Sequence, residues 1–232
     1  MPGDIDIVPI AAVLADPTRA SILIALSDGR ALPAGELARR ARVKASTASA
    51  HLAKLVDAGF LVVVKQGRHR YYRQADPRII QIIESLASLA PAAPVRSLRE
   101  SATAEAVRAA RMCYNHLAGK LGVSLSEVLV EKRILDAFDE GYIITDDGKQ
   151  WMHEFGIDSA DFKKQRSLIV PFHIDWSERR HHVAGAFGAA FTKRLLDLTW
   201  IERLPSSRAI CLTETGRQGL KSEFDLDFQK DR

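Results

Sequence analysis

The stretch from Pro33 to Arg73 constrains the fold of this 232-residue chain more than any other. Pro33 opens a short helix, Ala34–Arg40, whose Leu37 and Ala38 turn inward. A four-residue break, Ala41-Arg42-Val43-Lys44, follows. Ser46 or Thr47 then suits the cap of a second helix running to about Ala58, with Leu52, Leu55 and Val56 as its apolar stripe and Gly59 as its stop. Beyond it, Phe60–Lys65 reads as a β-branched strand, Gln66-Gly67 as a turn and Arg68–Arg73 as a returning strand. Two short helices about a tight turn, then a basic hairpin, make a helix-turn-helix with a wing. Upstream, Ile10–Leu14 starts a helix, and Asp16 caps another from Pro17 that buries Ile22, Leu23 and Leu26.

Charge supports that reading by its placement. Residues 1–97 carry 13 Lys/Arg against 8 Asp/Glu, a net of +5, which leaves 20 against 21 in the remainder. Within Glu36–Arg73 the ratio is 9 to 2. A basic field confined to one segment is what contacts to a phosphate backbone require.

The ordered motifs Leu14-Ala15-Asp16-Pro17-Thr18-Arg19, Glu36-Leu37-Ala38, Ser46-Thr47-Ala48-Ser49-Ala50-His51-Leu52, Leu55-Val56-Asp57-Ala58-Gly59-Phe60-Leu61 and Gly67-Arg68-His69-Arg70-Tyr71-Tyr72 span residues 8–90. Together they resemble the ArsR/SmtB family of winged helix-turn-helix repressors. The resemblance implies a homodimer built on the first helix and on the helix after the wing, Pro77–Leu89, and it implies double-stranded operator DNA as partner. Carried over by position, Lys44, Ser46, Thr47, Ser49, Ala50, His51 and Lys54 face the major groove, while Lys65, Arg68 and Arg70 sit on the wing. For His51 the plainer alternative is a histidine that packs or caps. Many family members hold a metal through cysteines on the helix before the reading helix, or through Asp/His on the last dimer helix. Here those places read Glu36-Leu37-Ala38-Arg39-Arg40 and Asp76–Glu84, without Cys or His. The usual thiolate and imidazole ligands are therefore missing at both.

After a Pro/Ala linker at 91–97, residues 98–232 differ in composition and contain a repeat at a spacing of 66–68 residues. His116–Gly122 recurs as His182–Gly188, and Ile144–Gln150 as Leu212–Gln218. Glu154–Asp158 matches Glu223–Asp227 with one insertion, so the copies run over about 104–158 and 170–227. Periodicity suggests helix, helix, hairpin and short helix in each, with Ala104–Leu121 and Leu125–Phe138 as the first two. The expected fold class is therefore α+β: mainly α with short β-hairpins, a winged head, and a helical domain built from two copies.

Chemistry-bearing residues gather near the repeated histidine. Cys113 and His116, three apart, are expected on one helix face. With His173 and one of His181 or His182 they form a mixed sulfur/nitrogen set suited to a borderline transition metal or to haem. The alternatives are helix-packing histidines bonded to backbone, Asp175 or Glu178, an organic-ligand pocket, or a redox-active thiol. Trp176 with Arg179 or Arg180 suggests a lining for an anionic or aromatic effector, against an ion-pair network that orders a turn. Cys211 is expected in the core of a strand.

Two cysteines make no disulfide framework. The apolar runs Ile22–Ser27 and Phe60–Val64 are far shorter than the ~20 residues a bilayer needs, and Met1–Val13 is a poor secretory signal, so a cytoplasmic protein is expected. The second half lacks a phosphate loop, a Gly-x-Ser-x-Gly elbow and a His-Glu-x-x-His pair, which argues against an enzyme. The functional expectation is a repressor that releases operator DNA when its C-terminal domain meets an effector. The alternatives are a constitutive DNA-binding scaffold whose second half only oligomerises, and an enzyme fused to a DNA-binding head.

Overall fold

The computed structural model describes residues 5–91, 94, 97–157, 169–205 and 207–228. They form two compact units, Met1–Ile83 and Glu84–Arg232. The linker expected over 91–97 lies mostly outside the described residues, as does Asp158, the end of the first expected copy.

In the first unit, α1 (Val8–Leu14) and α2 (Pro17–Ala25) meet at Asp16, whose carboxylate accepts from the Arg19 amide at 2.9 Å. Pro17 needs no backbone donor in the first turn of α2, so the cap and the proline define its start together. The Arg19 side chain turns back and donates to the carbonyls of Val13 and Ala12 at 2.8 and 2.7 Å, which satisfies the end of α1. Next come β1 (Leu32–Pro33), α3 (Ala34–Arg40) and α4 (Ala45–Asp57). The wing strands are β2 (Leu61–Gln66) and β3 (His69–Gln74), and α5 (Pro77–Leu89) follows. The sheet is antiparallel in the order β1-β3-β2, with Pro33 opposite Tyr71 and Leu61 opposite Gln74. Ile22, Leu23, Leu26, Leu37, Leu52, Leu55, Phe60, Leu61, Ile79 and Ile83 make one core.

Two local expectations shift. The cap of α4 is Lys44, without a side-chain bond, and Ser46 and Thr47 lie in its first turn. Arg42, at φ +56°, and the Val43 amide, bonded to the Ala38 carbonyl at 3.0 Å, turn the chain early enough for the helix to begin at Ala45. The wing strands start one residue later than the pattern suggested. The Phe60 amide is taken by the Leu55 carbonyl at 2.8 Å, which closes α4 and buries the Phe60 ring before the strand begins.

In the second unit, α6 (Leu98–Ala109) precedes the hairpin β4 (Arg111–Cys113) and β5 (His116–Ala118), helix α7 (Gly119–Glu131), the hairpin β6 (Leu135–Phe138) and β7 (Gly141–Ile144), and helix α8 (Asp146–Phe155). After β8 (Ile169–Val170), the same order returns: β9 (Phe172–Ile174) with β10 (His181–Val183), α9 (Gly185–Asp197), β11 (Ile201–Arg203) with β12 (Ile210–Leu212), and α10 (Glu214–Phe224). The expected helices Ala104–Leu121 and Leu125–Phe138 are therefore replaced. Alanine-rich α6 stops where Ala110 is fully extended, Tyr114 at φ +58° turns the hairpin, and Gly119 at φ +81° starts α7. A side chain at Gly119 would be strained twice, because its Cβ would also lie 2.5 Å from the Arg108 carbonyl oxygen.

The two halves exchange equivalent bonds. The Leu117 amide donates to Thr192 Oγ1, and the Val183 amide donates to Ser126 Oγ, each at 2.9 Å. Leu117 and Val183 stand 66 positions apart, and so do Ser126 and Thr192. Capping repeats as well: Thr145 accepts from the Gly148 amide and Thr213 from the Gly216 amide, both at 2.8 Å. Leu121, Leu125, Phe155, Phe187, Phe191, Leu220 and Phe224 share one core. Among the described residues no single helix is long and apolar enough to cross a membrane; α1 and α2 reach that composition only as a pair bent by 80°.

Candidate functional site

Helix α4 buries Ala48, Leu52 and Leu55. The opposite face presents Ser46, Thr47, Ser49, Ala50 and Lys54 to solvent, with Lys44 exposed just ahead of it. His51 is half-buried, and its Nδ1 lies 3.4 Å from Asp16 Oδ1, so one ring nitrogen faces the cap of α2. On the wing, Lys65, Arg68 and Arg70 are exposed. Lys65 stands directly across from Arg70. Like charges paired across strands repel, and an anion placed between them removes the penalty. On α3, by contrast, Arg39 and Arg40 both bond Glu36, and those bonds hold its carboxyl down at about 2. The basic character of the segment is thus spent internally on α3 and offered outward on α4 and the wing.

In the second unit the two hairpins β4–β5 and β9–β10 each contribute one facing pair. Cys113 is in register with His116, and His173 with His182. The four donor atoms lie within 4.8 Å of one another. Cys113 Sγ is 3.9 Å from His173 Nδ1, and the His116 ring centroid lies 4.9 Å from that of His173 and 5.3 Å from that of His182. Cys113, His116 and His182 are buried and His173 is half-buried. His116 and Cys113 are thus brought together by a strand pairing and not by a helix face. The residue from the His181/His182 pair is His182: strand alternation sends His181 outward, where it is exposed and stacks on Phe172 with centroids 3.8 Å apart.

Burial, reinforced by the neighbouring imidazoles, pushes His116 well below the usual histidine range. His182 is lowered to about 4 by burial, and His173 is lowered by the same cause. The Cys113 thiol is pushed up by burial. Near neutral pH the cluster is therefore three neutral imidazoles and a protonated thiol. His116 Nδ1 lies 3.3 Å from Asn115 Oδ1, which leaves Nε2 for the cluster, and that Nε2 is buried without a partner among the described residues. Both ring nitrogens of His182 are likewise buried without a hydrogen bond among the described residues, with Asp175 Oδ2 3.6 Å from Nδ1.

Behind the histidines lies an ion-pair network of the kind the sequence offered for the Asp175–Arg180 turn, with partners the sequence did not reveal: Arg111, Arg208 and Glu84. Arg111, with no exposed surface, donates to Asp175 Oδ2 at 2.8 Å and to Ser177 Oγ at 3.1 Å, and lies 3.6 Å from Glu84. Arg208 bonds Glu84 at 2.5 Å. Asp175 further accepts from the amides of Gly119, Ser177 and Glu178. Burial alone would raise its carboxyl, but Arg111 and these donors outweigh it and hold it at about 2. Trp176 is covered by the Arg111 guanidinium, 4.5 Å from its ring, whereas Arg179 is exposed and Arg180 pairs with Glu127. The Asp175–Arg180 segment is thus an ordered turn whose carboxylate anchors it. Cys211, expected in the core, is exposed: the alternation of β12 buries Ile210 instead.

The sequence comparisons agree with the first unit and extend across the second. Residues 14–64 match the model of a helix-turn-helix domain. The uncharacterized HTH-type transcriptional regulator YdfF of Bacillus subtilis is 44% identical over 221 residues, covering 95% of this chain and 98% of that protein. The HTH-type transcriptional regulator CmtR of Mycobacterium bovis is 40% identical over 70 residues, which is 30% of this chain and 58% of CmtR. Reduced HlyU from Vibrio cholerae, a solved structure, aligns with 35% of this chain and 85% of its own at 30% identity and a TM-score of 0.33. With a relative matched along nearly its whole length and a helix-turn-helix domain matched over residues 14–64, the chain belongs to the helix-turn-helix transcriptional regulators.

Proposed function

We propose that the protein is a dimeric repressor that reads double-stranded operator DNA with α4 and the wing, and that an effector bound by the second unit releases it. The observation that carries the reading is the outward face Lys44, Ser46, Thr47, Ser49, Ala50 and Lys54 on α4, joined by Lys65, Arg68 and Arg70 on the wing. A helix of that kind fits a major groove, and a basic hairpin tip lies against the backbone beside it. His51 reaches a base only through Nε2, since Nδ1 faces Asp16. Exposed Ile7 at the N-cap of α1, Val8 and Ile10 on α1, and Ile82 on α5 supply apolar surface that a second copy would cover, in line with the dimer helices the resemblance implies. Residues 98–232 act as the sensor domain, built from two copies of the hairpin–helix–hairpin–helix order, in a protein that works in the cytoplasm. An effector releases DNA only if it binds the DNA-incompetent state more tightly than the competent one.

The test is selection of genomic fragments by the purified full-length protein, followed by fluorescence anisotropy on the recovered site. The expected result is a roughly palindromic fragment bound with sub-micromolar affinity that falls steeply with salt. Equal binding to every fragment at all salt concentrations would refute the reading.

A further inference from the structure

We infer that Cys113, His116, His173 and His182 form a closed four-ligand site for one zinc-class transition-metal ion, and that this ion is the effector of the second unit. The second clause rests on the repressor reading above; the first does not.

Four features of the cluster point to an ion. First, the donors are the right kind: three imidazoles and a thiol, with no carboxylate among them, suit zinc and its neighbours and not magnesium or calcium. Second, the distances are close to those of an occupied site. Zn–N of about 2.0 Å and Zn–S of about 2.3 Å place tetrahedral donors about 3.3–3.6 Å apart. Donors within 4.8 Å of one another reach that geometry by moving inward less than about 1 Å each. Third, the alternative of packing histidines expects bonds to backbone or carboxylate. His116 is 2% exposed and His182 0%, and their Nε2 atoms have no partner among the described residues. A buried nitrogen without a partner forfeits its hydrogen bonds to water, and a metal bond at each removes that cost. Fourth, an outer carboxylate is in place: Asp175 Oδ2 lies beside Nδ1 of His182, where it would fix the tautomer that leaves Nε2 free to ligate.

The same compactness separates an ion from haem. The His116, His173 and His182 rings pack with centroids 4.9–5.9 Å apart, so a macrocycle would have to force the two hairpins open, whereas an ion draws them together. Binding replaces the Cys113 S–H proton, which leaves to solvent, by a metal–thiolate bond. His173 is the one donor with part of its surface exposed, so the ion enters past its ring. Asp175, which supports His182, also holds Arg111, and Arg111 and Arg208 both face Glu84 on α5. Drawing the hairpins together therefore pulls on a charge network that ends at Glu84, the first residue of the second unit.

The experiment uses the full-length protein stripped with a chelator and titrated with Zn(II) against a chromophoric competitor, then with Co(II) alone. One equivalent of each is expected, with the thiolate-to-cobalt absorption and the visible bands of a tetrahedral ion. Cys113→Ser and His182→Gln should each weaken Zn(II) by more than the roughly 10–100-fold that outer-shell changes cost. His181→Gln, on the outward face of the same strand, should leave it unchanged, with circular dichroism checking that all three variants fold. Substoichiometric binding, an octahedral cobalt spectrum, or loss in His181→Gln with retention in both other variants would overturn the site. Operator affinity measured with and without Zn(II) then separates the two clauses. A fall of 10-fold or more with zinc supports the effector role; stoichiometric zinc without change in DNA affinity refutes that role and leaves the site standing. Absence of specific DNA binding in both forms refutes the repressor reading instead.

Discussion

Replacing Arg111 by methionine isolates the network behind the histidines. The substitution keeps a long flexible side chain in the same space, so it creates little cavity. It removes the cation that donates to Asp175 Oδ2 at 2.8 Å in a site where both side chains have 0% exposure. Glu84 keeps Arg208 at 2.5 Å, and Asp175 keeps the Gly119, Ser177 and Glu178 amides, so the loss falls mainly on one buried carboxylate. Breaking a buried pair from one side costs about 3–5 kcal/mol, and removing the cation stacked over Trp176 adds roughly 0.5–1 kcal/mol. With a urea dependence of about 2 kcal/mol per molar, the unfolding midpoint should fall by about 2 M. All three tryptophans, Trp151, Trp176 and Trp200, lie in the second unit, so intrinsic fluorescence follows that unit specifically. Asp175→Asn in the Arg111→Met background should recover a large part of the loss, since it neutralises the stranded charge. A midpoint shift below about 0.5 M, or a double variant as unstable as the sum of the singles, would show that Arg111 and Asp175 do not depend on each other.

On the wing, Lys65→Ala with Arg70→Ala should flatten the slope of log affinity against log salt by about 0.9 for each DNA phosphate left without its cation, read by anisotropy across a salt series; an unchanged slope would take the wing off the DNA. Glu36 titrates below its unfolded value because Arg39 and Arg40 bond it, so its contribution is present above pH ~4.5 and fades as pH falls towards ~2. Partial exposure limits that contribution to about 1 kcal/mol, and Glu36→Gln should show correspondingly less acid destabilisation in urea melts between pH 6 and 3. Thr192→Val leaves the Leu117 amide buried and unmet, and Ser126→Ala does the same to Val183; each should cost about 1–3 kcal/mol by fluorescence-monitored unfolding, and near-neutrality of both would mean that the reciprocal bonds do not hold the halves together.

Much of the first unit is legible in the sequence because its signals are local. Pro17 after Asp16, Pro33 before Ala34, and Gly59 after Ala58 punctuate helices whose apolar period is clean, and α3 falls where the pattern places it. What escapes a sequence reading is non-local: β1 is two residues long and exists only because β3 pairs with it. In the second unit the repeated motifs are visible, but their periodicity points to the wrong secondary structure. Ala104–Ala110 continues a helical composition into Arg111–Cys113, and nothing local marks the change to strand except Tyr114, whose positive φ is a property of the fold. Residue type and the repeat nonetheless single out the four ligand candidates, which is why a wrong helix still leads to the right neighbours. Arg111 escapes for the opposite reason: a charged residue beside Cys113 reads as surface unless its partners, 64 and 27 positions away at Asp175 and Glu84, are known.

The place of the cluster follows from the way the halves dock. His116 and His182 occupy matching positions, each in the strand that leads into the 13-residue helix of its half. Their cross-strand partners, Cys113 and His173, match in turn by register. The two hairpins bring His116 and His182 to ring centroids 5.3 Å apart, and donors that converge from both hairpins can share a single ion. A pair of identical copies would supply four ligands of two kinds; here one partner is a thiol and the other an imidazole, which makes the set asymmetric. The connections diverge further. Tyr114 and Asn115 close the first hairpin, whereas the second runs through the turn from Asp175 to Arg180, which supplies the carboxylate beside His182 and the anchor for Arg111. The repeated framework thus sets where the donors meet. The longer connection of the second hairpin supplies Asp175, which holds Arg111, and it is Arg111 and Arg208 that reach Glu84. On the proposed site an ion draws the two hairpins together, so loosening the reciprocal Leu117–Thr192 and Val183–Ser126 bonds should weaken metal binding in a Zn(II) titration even though none of those side chains is a ligand.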